Sequence, residues 1–206
     1  MKTGRLEAFS DGVLAIAITL LVLDLRVPDD PGRPLGTLLA EQWQSYLAYL
    51  VSFGVIGIMW VNHHALFRRV AKIDRALLFL NLGLLLFISV LPFPTAVAAD
   101  GLRRGGQDAK TGMLAYGIAQ VLVAIAFSAV WIYIVRKPGI LRAPLTEQQR
   151  RVAIRRFTIG LAGYVVLCGV AFVSPIVALI GHGVIAGYYA FEQLPQVAEA
   201  PEPDQD

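Results

Sequence analysis

Long apolar runs are the feature that most constrains how this chain folds. Several of them approach or exceed the roughly 20 apolar residues that a helix needs to cross a hydrocarbon layer about 30 Å thick, and they contain few or no charged side chains. The 206 residues are 56% hydrophobic, with a mean hydropathy of +0.62, well above the usual composition of a soluble domain. The sequence therefore predicts an all-α, multi-pass integral protein of the cell membrane.

The apolar runs divide into six predicted spans that together form one membrane domain, residues 1–191. Their bounds are about 9–27, 45–65, 76–99, 111–135, 157–173 and 176–191. The third is expected to kink or stop early at Pro92 and Pro94. The last two are separated only by Ser174 and Pro175, and because one helix over both would be about 50 Å long, a tight hairpin is predicted.

Basic residues in the loops predict the orientation of the chain. With six spans, 13 of the Lys and Arg residues fall on the side of the termini and 5 on the other side. The positive-inside rule then places both termini in the cytoplasm, where the acidic, proline-containing segment 192–206 is predicted to be a disordered tail. Topology also explains the net charge of +3, so no nucleic-acid partner is expected.

The first span is unusual because it carries an acid near each end. Asp11 and Asp24 are thirteen residues apart, or about 20 Å along a helix, which is shorter than the hydrocarbon layer. A carboxylate at membrane depth costs about 2.5–3.5 kcal/mol unless it is paired or faces water. Two interpretations stay open for Asp11: Ser10 or Asp11 itself caps the N-terminus of the helix, or partners on another helix hold the carboxylate.

Between the two acids lies an apolar stripe. Ile16, Leu20 and Leu23 follow i, i+4, i+7 spacing and share one helix face, with Thr19 beside them. Such stripes usually pack against other helices. The hydroxyl of Thr19 is expected to bond back to the Ala15 carbonyl or across to a partner.

The end of the second span concentrates polar side chains at membrane depth. These are Trp60, Asn62, His63 and His64. Because adjacent histidines point in different directions on a helix and no carboxylate follows at i+3 or i+4, a hydrogen-bond network to another helix is favoured over a metal site. The network would lie at the depth of Asp11 and Ser10 and offer donors to the buried carboxylate. Asn81 in the third span is likewise expected to bond to a neighbouring helix.

The motif Arg5-x-x-x-Phe9-Ser10-Asp11 at the start of the first span resembles the transmembrane protein 175 family, the lysosomal potassium channel and its prokaryotic relatives. The following "GVLAIAITLLVLDLRVP" and the "WVNHH" that closes the second span resemble the prokaryotic branch. The resemblance covers the whole chain, since six spans make one family repeat. Asp24 stands where many relatives have a glutamate, which leaves the charge of the outer mouth intact.

The resemblance implies a homotetramer around a central pore that the first helix of each chain lines. It implies a potassium channel with modest preference over sodium, permeant K⁺ and other monovalent cations, and no cofactor, metal or catalytic residue. Ile16 is then the constriction, with Leu20 and Leu23 above it. Thr19 tunes selectivity, and Trp60 with its polar neighbours supports the pore helix from behind.

Other functions stay open on the residues alone. A secondary or proton-coupled transporter would use Asp11, His63 and His64 as a relay. A membrane enzyme or metal-binding protein would combine His63 and His64 with His182, but too few further ligands lie at membrane depth. A non-transporting accessory membrane protein is the simplest rival.

Overall fold

A computed structural model describes residues 3–28 and 30–190 and is all-α, as the sequence predicts. Phe191 and the predicted tail 192–206 lie outside the described residues. The helices are α1 (Thr3–Leu20), α2 (Leu35–Ala40), α3 (Trp43–Phe67), α4 (Arg75–Val90), α5 (Pro92–Arg104), α6 (Gly106–Arg136), α7 (Glu147–Val173) and α8 (Pro175–Ala190).

The first span begins and ends earlier than the predicted bounds of 9–27. Helix α1 continues into a 3₁₀ turn, Leu21–Asp24, and residues 25–28 are not helical. Pro28 accounts for Val27 lying outside the helix, because a proline disfavours helical geometry in the residue before it. Side chains three apart eclipse in a 3₁₀ helix, so Leu23 stays on the face of Leu20 and the apolar stripe continues through the change of winding.

The prolines divide the third predicted span, as expected. Helix α4 ends at Val90, and α5 begins at Pro92, where the missing N–H of proline costs no hydrogen bond. Gly105, with a φ of 76°, then reverses the chain into α6. Helices α5 and α6 approach so closely that a Cβ on Gly112 would lie 2.6 Å from the carbonyl oxygen of Val97.

Helices α7 and α8 form the predicted hairpin about Ser174. Close contacts pair Gly163 with Ile185 and Gly181 with Leu167, and the residue numbers of both pairs add to the same total, as antiparallel helices require. Helix α7 begins at residue 147, ten residues before the predicted span. The side chain of Thr146 caps it, accepting a hydrogen bond from the backbone N–H of residue 149.

Four segments of the described chain are long and apolar enough to cross a membrane. They are Thr3–Asp24, Trp43–Phe67, Arg75–Arg104 and Gly106–Arg136. The apolar part of α7, Ile159–Val173, and all of α8 are shorter. The chain is therefore a multi-pass membrane protein, and the count of six spans stays a prediction.

Helix α1 packs between α3 and α4, and α6 lies behind α4. A second core joins α3, α5, α6, α7 and α8, and hydrogen bonds between buried hydroxyl groups connect three of these helices. The Thr95 hydroxyl of α5 lies 2.9 Å from Ser52 Oγ of α3, which donates to Tyr116 Oη of α6 at 3.1 Å. Because hydrocarbon offers polar groups no partners, such internal bonds also fix the helix register.

A polar latch joins the loop before α4 to the end of α6. Asp74 accepts hydrogen bonds from the backbone N–H of Leu77 at 2.9 Å, from Tyr133 Oη at 2.7 Å and from Lys137 Nζ at 2.6 Å. These donors hold the pKa of the Asp74 carboxyl well below its usual 3.8, and the carboxylate raises the pKa of Lys137 above its usual 10.5. Beside the latch, Val70 and Leu141 form an isolated antiparallel bridge.

We expect Asp74→Asn to lower the melting temperature of the purified protein, because asparagine keeps the helix cap but loses the attraction to Lys137. The lowered pKa of Asp74 preserves that attraction until the pH falls below 3.8, and the raised pKa of Lys137 preserves it up to 10.5. The difference from wild type should therefore be constant between pH 5 and pH 9 and shrink above pH 10.5. Glu147→Gln, which removes ion pairs within one exposed helix turn, is the control and should have a smaller effect; equal effects of the two variants would contradict the assignment.

Candidate functional site

Helix α1 has one covered side and one uncovered side. The covered side consists of residues that face α3 and α4 at helical spacing: Leu6, Ser10, Leu14, Ala17 and Leu21. On the other side, Ile16, Leu20 and Leu23 are 60%, 40% and 66% exposed. No helix of the described chain covers this apolar stripe, so the usual expectation for such stripes, packing against helices of the same chain, is not met.

Thr19 lies beside the uncovered stripe with its hydroxyl turned to the backbone. Its Oγ1 is 2.9 Å from the carbonyl oxygens of both Ala15 and Ile16. Of the two partners that the sequence left open, the structure places the Ala15 carbonyl within reach. The bond uses the hydroxyl hydrogen of Thr19, so its oxygen keeps its capacity to accept hydrogen bonds at the level of the stripe.

A directed chain of hydrogen bonds reaches the covered side of α1 from two other helices. His63 Nε2 on α3 donates to Asn81 Oδ1 on α4 at 2.8 Å, and Asn81 Nδ2 donates to Ser10 Oγ at 3.0 Å. Ser10 in turn donates to the carbonyl of Leu6 at 2.9 Å. All three side chains are buried. The order of donors fixes His63 as the Nε2–H tautomer, and its ring stacks on Phe67 with centroids 4.4 Å apart.

The Asp11 carboxylate is held from α3. Trp60 Nε1 donates to Asp11 Oδ1 at 2.9 Å, and the His64 ring stacks beside the Trp60 ring with centroids 6.3 Å apart. The capping interpretation of Asp11 and Ser10 is wrong, because α1 begins at Thr3 and both residues lie in its interior. The alternative, a donor on the second span, is what the structure shows.

The other motif residues have different surroundings. Asn62 Nδ2 donates to the carbonyls of Ile58 and, on α8, Tyr189 at 2.9 Å, so it fastens α3 to α8 rather than to α1. Arg5 is exposed, and within the described residues it forms no ion pair with Asp11. Phe9, also part of the motif, is exposed.

Asp24 lies half-buried at the far end of α1. It lines a polar cavity of about 340 Å³ between the 3₁₀ turn, the start of α3 and the end of α5. Arg26, Gln42 and Asp100 are among the other lining residues. Because the cavity is wide and bounded by charged groups, it holds water easily, and Asp24 therefore lies where an ionised carboxylate can be hydrated.

Histidines in the described chain serve packing and hydrogen bonding. His182 Nδ1 donates to the Ala178 carbonyl at 2.7 Å, and its ring lies between Tyr116 and Tyr164. Over residues 3–28 and 30–190, no three His, Cys, Asp or Glu side chains come together as a metal site would require. The polar groups around α1 can therefore position a helix. Among the described residues they include neither a nucleophile paired with a base nor a set of metal ligands.

The sequence predicts the polar end of the second span but does not identify Asn81 as the residue that connects it to α1. Asn81 was expected to bond to a neighbouring helix, and it does, yet its partners, Ser10 and His63, could not be assigned. The only signal available was an amide inside an otherwise apolar run, together with its depth, which matches that of Ser10.

Comparison with known proteins agrees with the motif. A family model described as "Endosomal/lysosomal potassium channel TMEM175" matches residues 5–92. The chain is 46% identical over 196 residues to a protein of Streptomyces collinus that is named a potassium channel, covering 94% of both chains. The human endosomal/lysosomal proton channel TMEM175 is 44% identical over 97 residues, which are 43% of this chain and 19% of that protein.

The fold also matches a solved structure. The crystal structure of a lysosomal potassium-selective channel TMEM175 homolog from Chamaesiphon minutus superposes with a TM-score of 0.82 at 36% identity. The match covers 93% of this chain and 97% of that one. The likeness therefore extends through all the helices rather than stopping at the motif.

We expect Trp60→Phe to destabilise the protein by about 0.5–1.5 kcal/mol, the net worth of one hydrogen bond, because it removes the donor to the partly exposed Asp11 carboxylate. Trp43→Phe is the matched control: both indoles are 45% exposed, but Trp43 makes no bond to α1. Thermal unfolding in one detergent measures both variants. Equal losses of stability would show that the Trp60–Asp11 bond contributes nothing.

Proposed function

This chain belongs to the TMEM175 family, and on that basis and the geometry of α1 we propose that it is a potassium channel. The observation that carries the proposal is the uncovered apolar stripe of Ile16, Leu20 and Leu23 on a helix whose other side is fixed by buried polar bonds. A helix face that its own chain leaves bare and yet orients this tightly is well suited to line a conduction path.

We propose that the channel is a homotetramer. One α1 helix has a single stripe and cannot enclose a pore, so copies of the chain must supply the remaining walls. Closed rotational symmetry is the usual arrangement of identical subunits. It would bring four equivalent stripes to one axis, with α3 and α4 of each chain behind them.

The proposed gate is hydrophobic. Four Ile16 side chains would form a narrow neck that water wets poorly, and a dewetted neck blocks ions without closing sterically. An ion that passes must shed water without receiving carbonyl ligands. Since potassium gives up hydration more easily than sodium, the neck favours potassium modestly. Thr19, whose hydroxyl lies at the level of the stripe, is the proposed side chain for tuning that preference.

We propose the orientation that the loop charges predict: six spans, both termini in the cytoplasm of the cell, and Asp24 at the outer mouth. The field of four Asp24 carboxylates would raise the local concentration of cations there. The spacing supports this arrangement, because Asp24 lies in the 3₁₀ turn that ends the first span, about 20 Å along the helix from Asp11.

Proton conduction is a second candidate, favoured by one observation: animal relatives such as the human protein are named proton channels. A relay through Asp11, His63 and His64 is less suited to it. His63 donates to Asn81 and is buried, while His64 is exposed on the Trp60 ring, so the two imidazoles do not form a continuous path.

Reversal potentials measured in potassium gradients and in pH gradients distinguish a potassium channel, a proton channel and a coupled transporter. The absence of any current in bilayers would indicate an accessory protein.

We expect Ile16→Asn to raise the potassium conductance of the reconstituted protein several-fold and to reduce its preference over sodium, because a polar ring wets the neck. Ile180→Asn on α8 is the matched control, since Ile180 is also exposed, at 48% against 60% for Ile16. Single-channel recording in planar bilayers measures both. A conductance that is unchanged in Ile16→Asn would contradict the assignment of Ile16 to the pore.

Asp24→Asn should lower potassium conductance at low salt and have little effect at high salt. The reason is that the range of a carboxylate field falls from about 30 Å at 0.01 M to about 3 Å at 1 M ionic strength. Asp108→Asn, an exposed acid at the start of α6, is the control. A loss of conductance that is the same at both salt concentrations would argue against an electrostatic role for Asp24.

A further inference from the structure

Four charged side chains line the polar cavity at the far end of α1, and two of them are already paired. Asp100 forms an ion pair with Arg103 and a second one, at 2.7 Å, with Arg104 beside the cavity. The other two charged lining residues, Asp24 and Arg26, form no ion pair in the described part of the chain. One carboxylate and one guanidinium therefore border the same space without a salt bridge between them.

A tight turn holds these two residues together. The backbone N–H of Arg26 donates to the carbonyl oxygen of Asp24 at 3.1 Å, and Leu25 between them has a φ of −83° and a ψ of 80°. These values and this hydrogen bond are those of an inverse γ-turn, which is common where a regular element ends. Because the turn fixes the backbone and both side chains line one cavity, the guanidinium stays near the carboxylate.

The Asp24 carboxylate therefore has two competing partners. Its oxygens accept no hydrogen bond from a side chain of the described residues, so they are free to meet a hydrated cation. The exposed guanidinium of Arg26 is close enough for its charge to act on the same carboxylate. A unit charge several ångströms away in water changes the local concentration of a monovalent ion about two- to threefold. Since Arg26 is part of the chain, salt can screen its charge but cannot displace it.

We propose that Arg26 is a tethered counter-ion of Asp24, which competes with permeant cations for the carboxylate and so limits the conductance at low salt. This inference rests on the proposed channel function, which assigns Asp24 to the outer mouth. Arg26 acts through the charge of Asp24. The balance between the two side chains then sets the concentration of cations at that end of α1.

The test is the single-channel potassium conductance of the full chain in planar bilayers, at about 0.01 M and about 1 M salt. Arg26→Gln should raise the conductance about two- to threefold at low salt and leave it unchanged at high salt. In an Asp24→Asn background the same substitution should have a much smaller effect, because the counter-ion has lost its carboxylate. Lys110→Gln is the control, since it removes a cation of α6 that does not line the cavity, and it should change the conductance little.

Three results would overturn the inference. One is an unchanged low-salt conductance in Arg26→Gln. Another is an equal increase with and without the Asp24 carboxylate, because Arg26 would then act only as a general surface charge. The third is an increase in Lys110→Gln as large as that in Arg26→Gln.

A second measurement distinguishes failure of this inference from failure of the proposed channel. Val27 is 70% exposed beside Arg26, so Val27→Cys supplies a thiol whose reaction with cationic and anionic methanethiosulfonate reagents reports the local potential without any current. Mass spectrometry of the modified peptide gives the ratio of the cationic to the anionic rate. That ratio should rise severalfold when Arg26→Gln is added and fall when Asp24→Asn is added.

The two measurements together separate the possible failures. Bilayers without current, combined with the expected shifts in the rate ratio, would contradict the proposed channel and support the pairing of Asp24 with Arg26. A conducting channel whose rate ratio does not change in Arg26→Gln would overturn the inference alone.

Discussion

Two hydrogen-bonded contacts set the rotation of α1, and the rest of the site depends on them. One is the chain from His63 through Asn81 to Ser10, and the other is the bond from Trp60 to Asp11. The first contact is buried, and a buried polar group without a partner costs about 1–3 kcal/mol; the second contact is exposed and is worth less. Only one rotation of α1 satisfies both contacts together, so the helix is held in it by side chains that belong to α3 and α4.

Because the polar contacts set the rotation of α1, they also set the direction in which its apolar side faces. The stripe of Ile16, Leu20 and Leu23 is turned away from the bundle, and the tight 3₁₀ turn at its end keeps Leu23 in line with Leu20. An ordinary membrane helix hides its polar groups and packs its apolar face. Here Ser10 is also hidden, but the apolar face formed by Ile16, Leu20 and Leu23 is left bare by the chain. That combination supports a pore wall assembled from several copies.

Sequence patterns predicted the parts of this fold that depend on local chemistry. The all-α class, the break at Pro92 and the hairpin at Ser174 follow from hydropathy and from what proline does to a helix, and the family follows from the motif that Arg5 opens. Sequence patterns could not predict the contacts between residues that lie far apart in the chain. Asn81 and Ser10 are 71 positions apart, so their bond is invisible in the sequence. Asp11 was open to a capping role only because the helix was expected to begin near residue 9.

In the proposed channel, the bare stripe of α1 lines a pore on a symmetry axis. A density map of the full chain in lipid nanodiscs tests it most directly, because it shows the number of copies and the surroundings of α1 at once. We expect four chains, with the Ile16 side chains nearest to the axis and to each other. A map in which the stripe faces lipid, or in which another helix lies innermost, would contradict it.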